Sequence, residues 1–546
     1  MNLGIGDTMF VGDINKIDLG TSSFKCIREK GCLFLDKSKF IEHFLAEANS
    51  VQVLLRQRRL GKSLNIDMLH CFLDDTQKNV ELYEDLYIRN SQVWDKINSS
   101  PAFLFDFKNL TVNNYKYQIF MQVLNYIDKY IGIDSLSSVD KMLVDDYIAD
   151  RGETNTNGIL MLTKLAYEKT KKNSYIFIDE YDKLLGSIYN ADNYDEIKEY
   201  ETAVYSAALK GNKYLEKALL TGVMRVSRES ILSGLNNIAI YDLFSDNVYQ
   251  KDYGLTDDEV TLLSEAAQFD KDEVRQWYNG IKINGVEIYN IYSVLSYIQN
   301  KRFDNYWGRS GTIDVINNLL SESREKQLGE MLNNNSIYTT LEKRVSLKSF
   351  NDKITNSVFY SFVAQAGYLA VERYIPEKDQ YELRIPNKEL MNVWKEFILS
   401  KLGNADKLTT IFDNLPDLEL FDRDLEELLS DKLSYFDVVD DKKNNERIYH
   451  VFTLGLLAAY KEIISRIFSN RESGDGRYDI LFETNKYTII FEFKSSTSID
   501  KLEDNVNNAL EQIANKRYHA DANKEKPVII TGISFFGKKC MVKSRM

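Results

Sequence analysis

Proline, cysteine and histidine are all scarce: the 546 residues contain 5, 4 and 4 of them. No continuous apolar run reaches the roughly 18 residues that a membrane-spanning helix needs. Cys26, Cys32, Cys71 and Cys540 form no CxxC pair and have no histidine cluster nearby, which excludes zinc-finger spacing and a disulfide framework. His43, His70, His450 and His519 show no ligand spacing either. The opening "MNLGIGDTMFVGD" lacks the basic start and apolar segment of a secretory signal, so the expected location is cytoplasmic, with no membrane partner. Basic charge is also in deficit, with 69 Lys and Arg against 82 Asp and Glu, a net charge of −13 and a pI near 5.1. That balance excludes a chain coated in basic surface, but it leaves room for a single phosphate-binding groove. Proline scarcity beside abundant Tyr, Asn, Lys and Ile reads as coding bias. There is no internal repeat or low-complexity tract.

What remains is the composition of a soluble globular protein, 44% hydrophobic and 12% aromatic, too long for one core. Hydrophobic periodicity divides it into 1–254, 255–420 and 421–546. In the first part "CLFLDKSKFIEHFLAEA" reads as a strand and a helix, and "VQVLL" as a strand followed by a glycine loop and a helix from Ser63. Strands "AFLFDF" (102–107), "SYIFIDEYD" (174–182) and "KALLTGV" (217–223) follow, with helices over 113–172. Apolar strands alternating with helices predict an α/β fold with a mainly parallel sheet. Residues 255–420 read as a helical lid or linker. The last part reads as a small α/β domain: helices 424–434, 446–467 and 500–517, with strands "YDILFE", "TIIFEFK" and "PVIITGISF".

Two segments carry chemistry. The loop "RQRRLGKS" ends in Gly61, Lys62 and Ser63, the second glycine, lysine and hydroxyl of a GxxxxGK[ST] phosphate loop, although Arg56 stands where the first glycine belongs. Arg59, Gly61, Lys62 and Ser63 are therefore candidate ATP contacts, with Ser63 on Mg2+. "IFIDE" ends a buried strand in Asp179, suited to hold magnesium, and Glu180, suited to orient an attacking water. The strand 102–107 lies between these two motifs in the chain, as expected for ATPases that use a catalytic glutamate after the magnesium aspartate. Thr221 and Arg225, in "LLTGVMRVS", or Arg228 just after it, are candidates to reach the terminal phosphate.

The second segment is "ESGDGRYDILFETNKYTIIFEFKSS". Alternate residues of a strand share a face, so Glu492 and Lys494 project together while Phe491 and Phe493 face the other way. A turn near Asn485 folds "YDILFE" back and brings Asp479 opposite about residue 491, beside Glu492. Two carboxylates and a lysine so placed suit metal-assisted phosphodiester hydrolysis, with Asp479 and Glu492 on the metal and Lys494 steadying water or developing charge. Gly476 permits a tight approach, and Arg477 is a candidate nucleic-acid phosphate contact. Lys516, Arg517, Lys538, Lys539, Lys543 and Arg545 add local positive charge.

With "SSFKCIREKGCLFLDKSKFIEHFL", "IFIDEYDKLL", "LLTGVMRVSRESILSGLNN", "WYNGIKINGVEIYNIYSVLSYI" and "AGYLAVERY", these segments resemble, in order, the bacterial AAA-ATPase-like proteins fused to a C-terminal PD-(D/E)XK nuclease domain. The family loop usually resembles "RPRRFGKS", so the resemblance makes Arg56 ordinary and Gln57, where proline is usual, the departure. It implies a P-loop ATPase domain with a parallel sheet, a helical middle region and a restriction-endonuclease-like α/β domain. It also implies ATP and Mg2+ as cofactors, with Mn2+ an alternative at the nuclease site, and DNA as the nucleic-acid partner. Asp479, Glu492 and Lys494 fall on the three nuclease motif positions. Glu446 corresponds to a further metal carboxylate from the preceding helix, and Gln512 and Tyr518, in "ALEQIANKRYHA", to a substrate-facing glutamine and tyrosine. The expected function is ATP-dependent or ATP-regulated nuclease. The alternative is an ATP-switched nucleic-acid or protein-binding scaffold with an inactive nuclease fold, and a homo-oligomer is left open.

Overall fold

The computed structural model describes residues 3–5, 8–184, 193–224, 238–308, 324, 327–328, 331, 336–342, 354–394, 410–435, 453, 457, 464–469, 472–473, 476–516, 518, 526–537 and 539–546. The chain forms two compact units, 1–319 with 336–390, and 320–335 with 391–546. Among the described residues no helix is long and apolar enough to cross a membrane.

The first unit is organised by a five-stranded sheet with spatial order Ala102–Asp106, Ser174–Asp179, Leu215–Gly222, Val51–Leu55 and Ile238–Tyr241. Every neighbouring pair is parallel. All residues of Val51–Leu55 and Ser174–Asp179 are buried, which is why these strands read as unbroken apolar runs rather than alternating ones. Helices Lys62–Leu73, Tyr115–Tyr126, Ser138–Asp150, Gly158–Thr170 and Tyr194–Leu209 accompany the sheet. The strand between the two motif strands is Leu215–Gly222, and Ala102–Asp106 lies at the sheet edge. This corrects the sequence reading, which gave that role to the strand lying between the motifs in the chain; order along the chain does not set order across a parallel sheet, because each crossover can skip a position.

A second core of this unit is helical. Helices Asp257–Ala267, Lys271–Tyr278 and Ile291–Asn300 bury Leu263, Tyr278 and Val294 against Phe10, Leu33 and Leu35 from the N-terminal part. The first of these helices is opened by a Thr256–Glu259 capping box. Lys37 Nζ reaches the same glutamate, 2.6 and 2.8 Å from its two oxygens. Helices are joined here by a hairpin, Ile281–Ile283 with Val286–Ile288, and by a small antiparallel sheet of Ile337–Thr339, Gln380–Arg384 and Ala370–Ile375.

The second unit contains a five-stranded sheet ordered Ile464–Ser469, Ile480–Thr484, Thr488–Ser495, Val528–Phe536 and Lys539–Arg545. Only Thr488–Ser495 and Val528–Phe536 run parallel, joined through the helix Leu502–Asn515. Residues 464–469 are thus an edge strand and not the end of the helix expected over 446–467. Pairing with Ile480–Thr484 outweighs a local pattern that a short apolar segment leaves ambiguous. At the opposite edge the helix Leu418–Tyr435 aligns two acids with the outer strand. Asp422 accepts from Ser544 N at 2.8 Å and Glu426 from Val542 N at 3.1 Å, which satisfies amides that an open edge would expose.

Two candidate active sites

The phosphate loop leaves the buried strand Val51–Leu55 and turns at Gly61, whose φ of 89° is left-handed and easy only for glycine. The helix Lys62–Leu73 starts there, so its unpaired amides and positive dipole end face the loop. Lys62 is buried, and its amine donates to the Arg56 and Gln57 carbonyls at 3.0 and 2.8 Å. Burial lowers its pKa to about 8, opposed by the charges of Asp179, Asp182 and Glu180.

Asp179 ends the strand Ser174–Asp179 and accepts the Thr221 hydroxyl and the Glu180 amide, the latter at 3.0 Å. Glu180 itself has a φ of +54°, a costly conformation for a residue with a side chain and one that clusters at functional sites. Burial, then the nearby Asp179, raise its pKa. Asp182 was missed in the sequence. Its carboxylate accepts from Val223 N and Met224 N at 2.9 and 2.6 Å and so ties the acid-bearing turn to the end of the neighbouring strand. Gly222 makes this possible, because a Cβ there would lie 2.6 Å from Asp182 Oδ1.

In the second unit Ile480 pairs with Phe491, which places Asp479 across from Glu492, one residue from the expected register. Asp479 Oδ2 accepts from Phe493 N at 2.8 Å. Glu492 is 3% exposed, and its Oε1 accepts from Lys494 at 3.2 Å and from the Gln512 amide. Among the described residues its Oε2 is buried with no hydrogen-bond partner. Burial, then the charge of Asp479, raise its pKa to about 7 against the pull of Lys494. Gly532 lets the helix carrying Gln512 sit on the sheet at this point, since a Cβ there would come within 2.5 Å of Val506 O.

A buried carboxylate oxygen without a donor costs on the order of 1–3 kcal/mol. A hard divalent cation shared with Asp479 would remove that cost, and two carboxylates are the donor set it prefers. The residues present therefore fit a metal. The loop, lysine and acids of the first unit likewise fit a nucleotide phosphate with magnesium.

Comparison with known proteins agrees with both halves. The family model described as a predicted AAA-ATPase matches residues 18–232, and the model of the PD-(D/E)XK nuclease superfamily matches residues 444–545. The chain joins an AAA-ATPase-like domain to a PD-(D/E)XK nuclease domain. It is also 26% identical over 544 residues, 95% of this chain and 96% of the other, to an uncharacterized protein in the vnfD 5′ region of Azotobacter chroococcum mcd 1.

Within the AAA-ATPase-like domain, Gly61, Lys62, Ser63, Asp179 and Glu180 lie on the loop, the helix it opens and the strand end read from the sequence. Two other residues are placed differently. Thr221 is fully buried and spends its hydroxyl on Asp179, so it holds the acid rather than reaching toward a phosphate. Arg59 lies with its guanidinium 3.9 Å from the centre of the Tyr292 ring and donates to Tyr306 O at 2.8 Å, which engages it with the protein itself. Arg56, at the missing glycine, is buried in an ion pair with Asp246 and donates to Leu55 O and Tyr241 O at 2.8 and 3.2 Å. Its side chain is an internal anchor, which is why the loop tolerates it.

Within the PD-(D/E)XK domain, Asp479, Glu492, Lys494 and Gln512 come together. Tyr518 is 1% exposed, and its hydroxyl lies 3.1 Å from Gln512 Nε2, so the pair braces Glu492 rather than offering a surface to nucleic acid. Gly476 meets the same tyrosine: a Cβ there would lie 3.0 Å from its ring and 2.7 Å from Lys516. Arg225, Arg228, Glu446, Arg517 and Lys538 lie outside the described residues, as does the side chain of Arg477.

Proposed function

We propose that the protein is an ATP-dependent or ATP-regulated DNA nuclease, binding and hydrolysing ATP with Mg2+ in the first unit and cleaving phosphodiesters with a divalent metal in the second. The observation that carries the nuclease half is the unpartnered Glu492 Oε2, buried beside Asp479 with Lys494 at hand. Asp479 and Glu492 would hold the metal, which supplies an activated water and neutralises charge at the phosphate. Lys494 steadies the carboxylate and donates toward developing negative charge. In the first unit Lys62, Gly61 and the helix amides receive phosphates, Ser63 and Asp179 hold magnesium, Thr221 orients Asp179, and Glu180 accepts a proton from water. DNA as substrate rests on family likeness and on the local positive charge.

The test is magnesium-dependent cleavage of plasmid and single-stranded DNA by wild type and by a Glu492→Ala, Lys494→Ala double variant, with ATP hydrolysis measured on the same samples. The expected result is loss of cleavage with ATP hydrolysis kept. Equal cleavage by both proteins overturns the nuclease assignment. Nucleotide-dependent DNA binding without cleavage by wild type would instead support an ATP-switched scaffold.

A further inference from the structure

The segments "WYNGIKINGVEIYNIYSVLSYI" and "AGYLAVERY" bring Tyr292 and Gly367 to the phosphate loop, where 306–307 join them, and Glu389 bonds Trp307 and Ser293. The loop lacks both the first glycine and the proline that would stiffen it, and it carries Arg59 at a left-handed φ of 61°. Its shape is held by partners from elsewhere in the same unit. Arg58 O accepts from Trp307 Nε1 at 3.2 Å, and Leu60 O from Gly254 N at 3.0 Å. Arg59 is fixed between the Tyr292 ring and Tyr306 O. Gln57 packs under Gly367, where a Cβ would lie 2.6 Å from the carboxamide. Tyr368, next in the chain, meets the Trp307 ring edge-on at 4.7 Å.

One buried acid bonds two of these segments. Glu389 is 1% exposed and accepts from Trp307 N at 2.7 Å and from the Ser293 hydroxyl at 3.0 Å. It is placed by its own neighbours: Asn387 Nδ2 donates to Asn279 O at 2.7 Å, and Gly280 leaves room for Pro386 O, which a Cβ would approach to 2.6 Å. Burial raises the Glu389 pKa to about 7, opposed by these donors and by the charge of Arg59.

We propose that Glu389 is a positioning residue for nucleotide binding, acting through Trp307 and the 292–306 segment as a clasp that fixes residues 57–60 in their phosphate-receiving shape. The clasp supplies from outside the stiffness that the loop's own sequence lacks. The proposal rests on the nucleotide reading of this site. It goes beyond that reading by assigning the grip on the loop to residues more than 200 positions along the chain.

The test uses the full chain, a fluorescent ATP analogue and hydrogen exchange of the 57–61 amides. Glu389→Ala is expected to weaken nucleotide affinity about tenfold or more and to speed exchange of those amides by a similar factor, as loss of several buried hydrogen bonds implies. Glu389→Gln still offers an oxygen to Trp307 N and Ser293, so it should stay within about threefold of wild type. Trp307→Phe keeps the backbone amide that Glu389 accepts, loses the bond to Arg58 O and part of the ring that meets Tyr368, and should weaken affinity about fivefold, with faster loop exchange; it decides the matter if Glu389→Ala does not fold. A folded variant with lower thermal stability but wild-type affinity and loop exchange shows a merely structural role and overturns the proposal. Failure of wild type to bind the analogue overturns the nucleotide reading, whereas unchanged loop exchange in Trp307→Phe overturns the clasp.

Discussion

At the phosphate loop, Lys62, Asp179 and Asp182 each have partners within the protein, whereas at the C-terminal sheet Glu492 keeps one buried oxygen with none among the described residues. Both sites bury charge at the ends or on the faces of strands, and both raise the pKa of a glutamate by burial. They differ in what completes them. At the first site the lysine rests on its own loop's carbonyls and both aspartates accept from neighbouring donors. The second is incomplete, because among the described residues Glu492 Oε2 is buried with no hydrogen-bond partner. The difference teaches that the first acids are held by the protein's own donors, whereas the second pair leaves an oxygen for a cation to satisfy under the proposed function.

The sharpest way to break this comparison is to remove charge from Glu180 alone. Glu180→Gln should lower ATP turnover by roughly 10²–10⁴-fold, the range for losing a general base, while a fluorescent ATP analogue still binds. Turnover that survives contradicts the role given to Glu180.

A smaller effect should separate the two units by pH. Glu492 has a folded pKa of about 7 against an ordinary 4.5, so the folded state keeps a proton that the unfolded chain has already released between those values. The associated stability is fully present below about 4.5 and is lost as pH rises through 7, on the order of 3 kcal/mol at 1.36 kcal/mol per unit. Glu492→Gln cannot titrate. In metal-free buffer the unfolding free energy of wild type should therefore fall relative to that of Glu492→Gln across this window. Parallel curves would remove the electrostatic half of the comparison.

The smallest effect concerns the Asp182 tie at the first site. Gly222→Ala puts a methyl group 2.6 Å from Asp182 Oδ1 and 2.7 Å from the Tyr181 ring. It should destabilise the first unit by about 1–3 kcal/mol, the usual cost of overpacking, read as a lower unfolding midpoint. An unchanged midpoint would show that the Asp182 tie is loose.

Much of both sites was legible because it is local. "GKS" after an apolar strand, "IDE" at the end of another, and the two-residue spacing of Glu492 and Lys494 all follow from periodicity within about ten residues. What the sequence could not show depends on distant pairing. The strand Leu215–Gly222 separates the motif strands only because of crossover order, and Arg56 finds its partner in Asp246, 190 residues away. Gln512 reaches Glu492 because Gly532 lets a helix descend onto the sheet, and a lone glycine in a strand does not announce which element will use it. Residues 464–467 read as helix because apolar spacing in so short a segment fits either period.

The central claim, that Glu492 and Asp479 form a site awaiting a divalent cation, is tested most directly by manganese binding to the nucleotide-free full chain near pH 8, wild type beside Glu492→Gln. The account predicts one tightly held Mn2+ in wild type that is lost in the variant while the fold is kept. Identical manganese binding by the two proteins would contradict it.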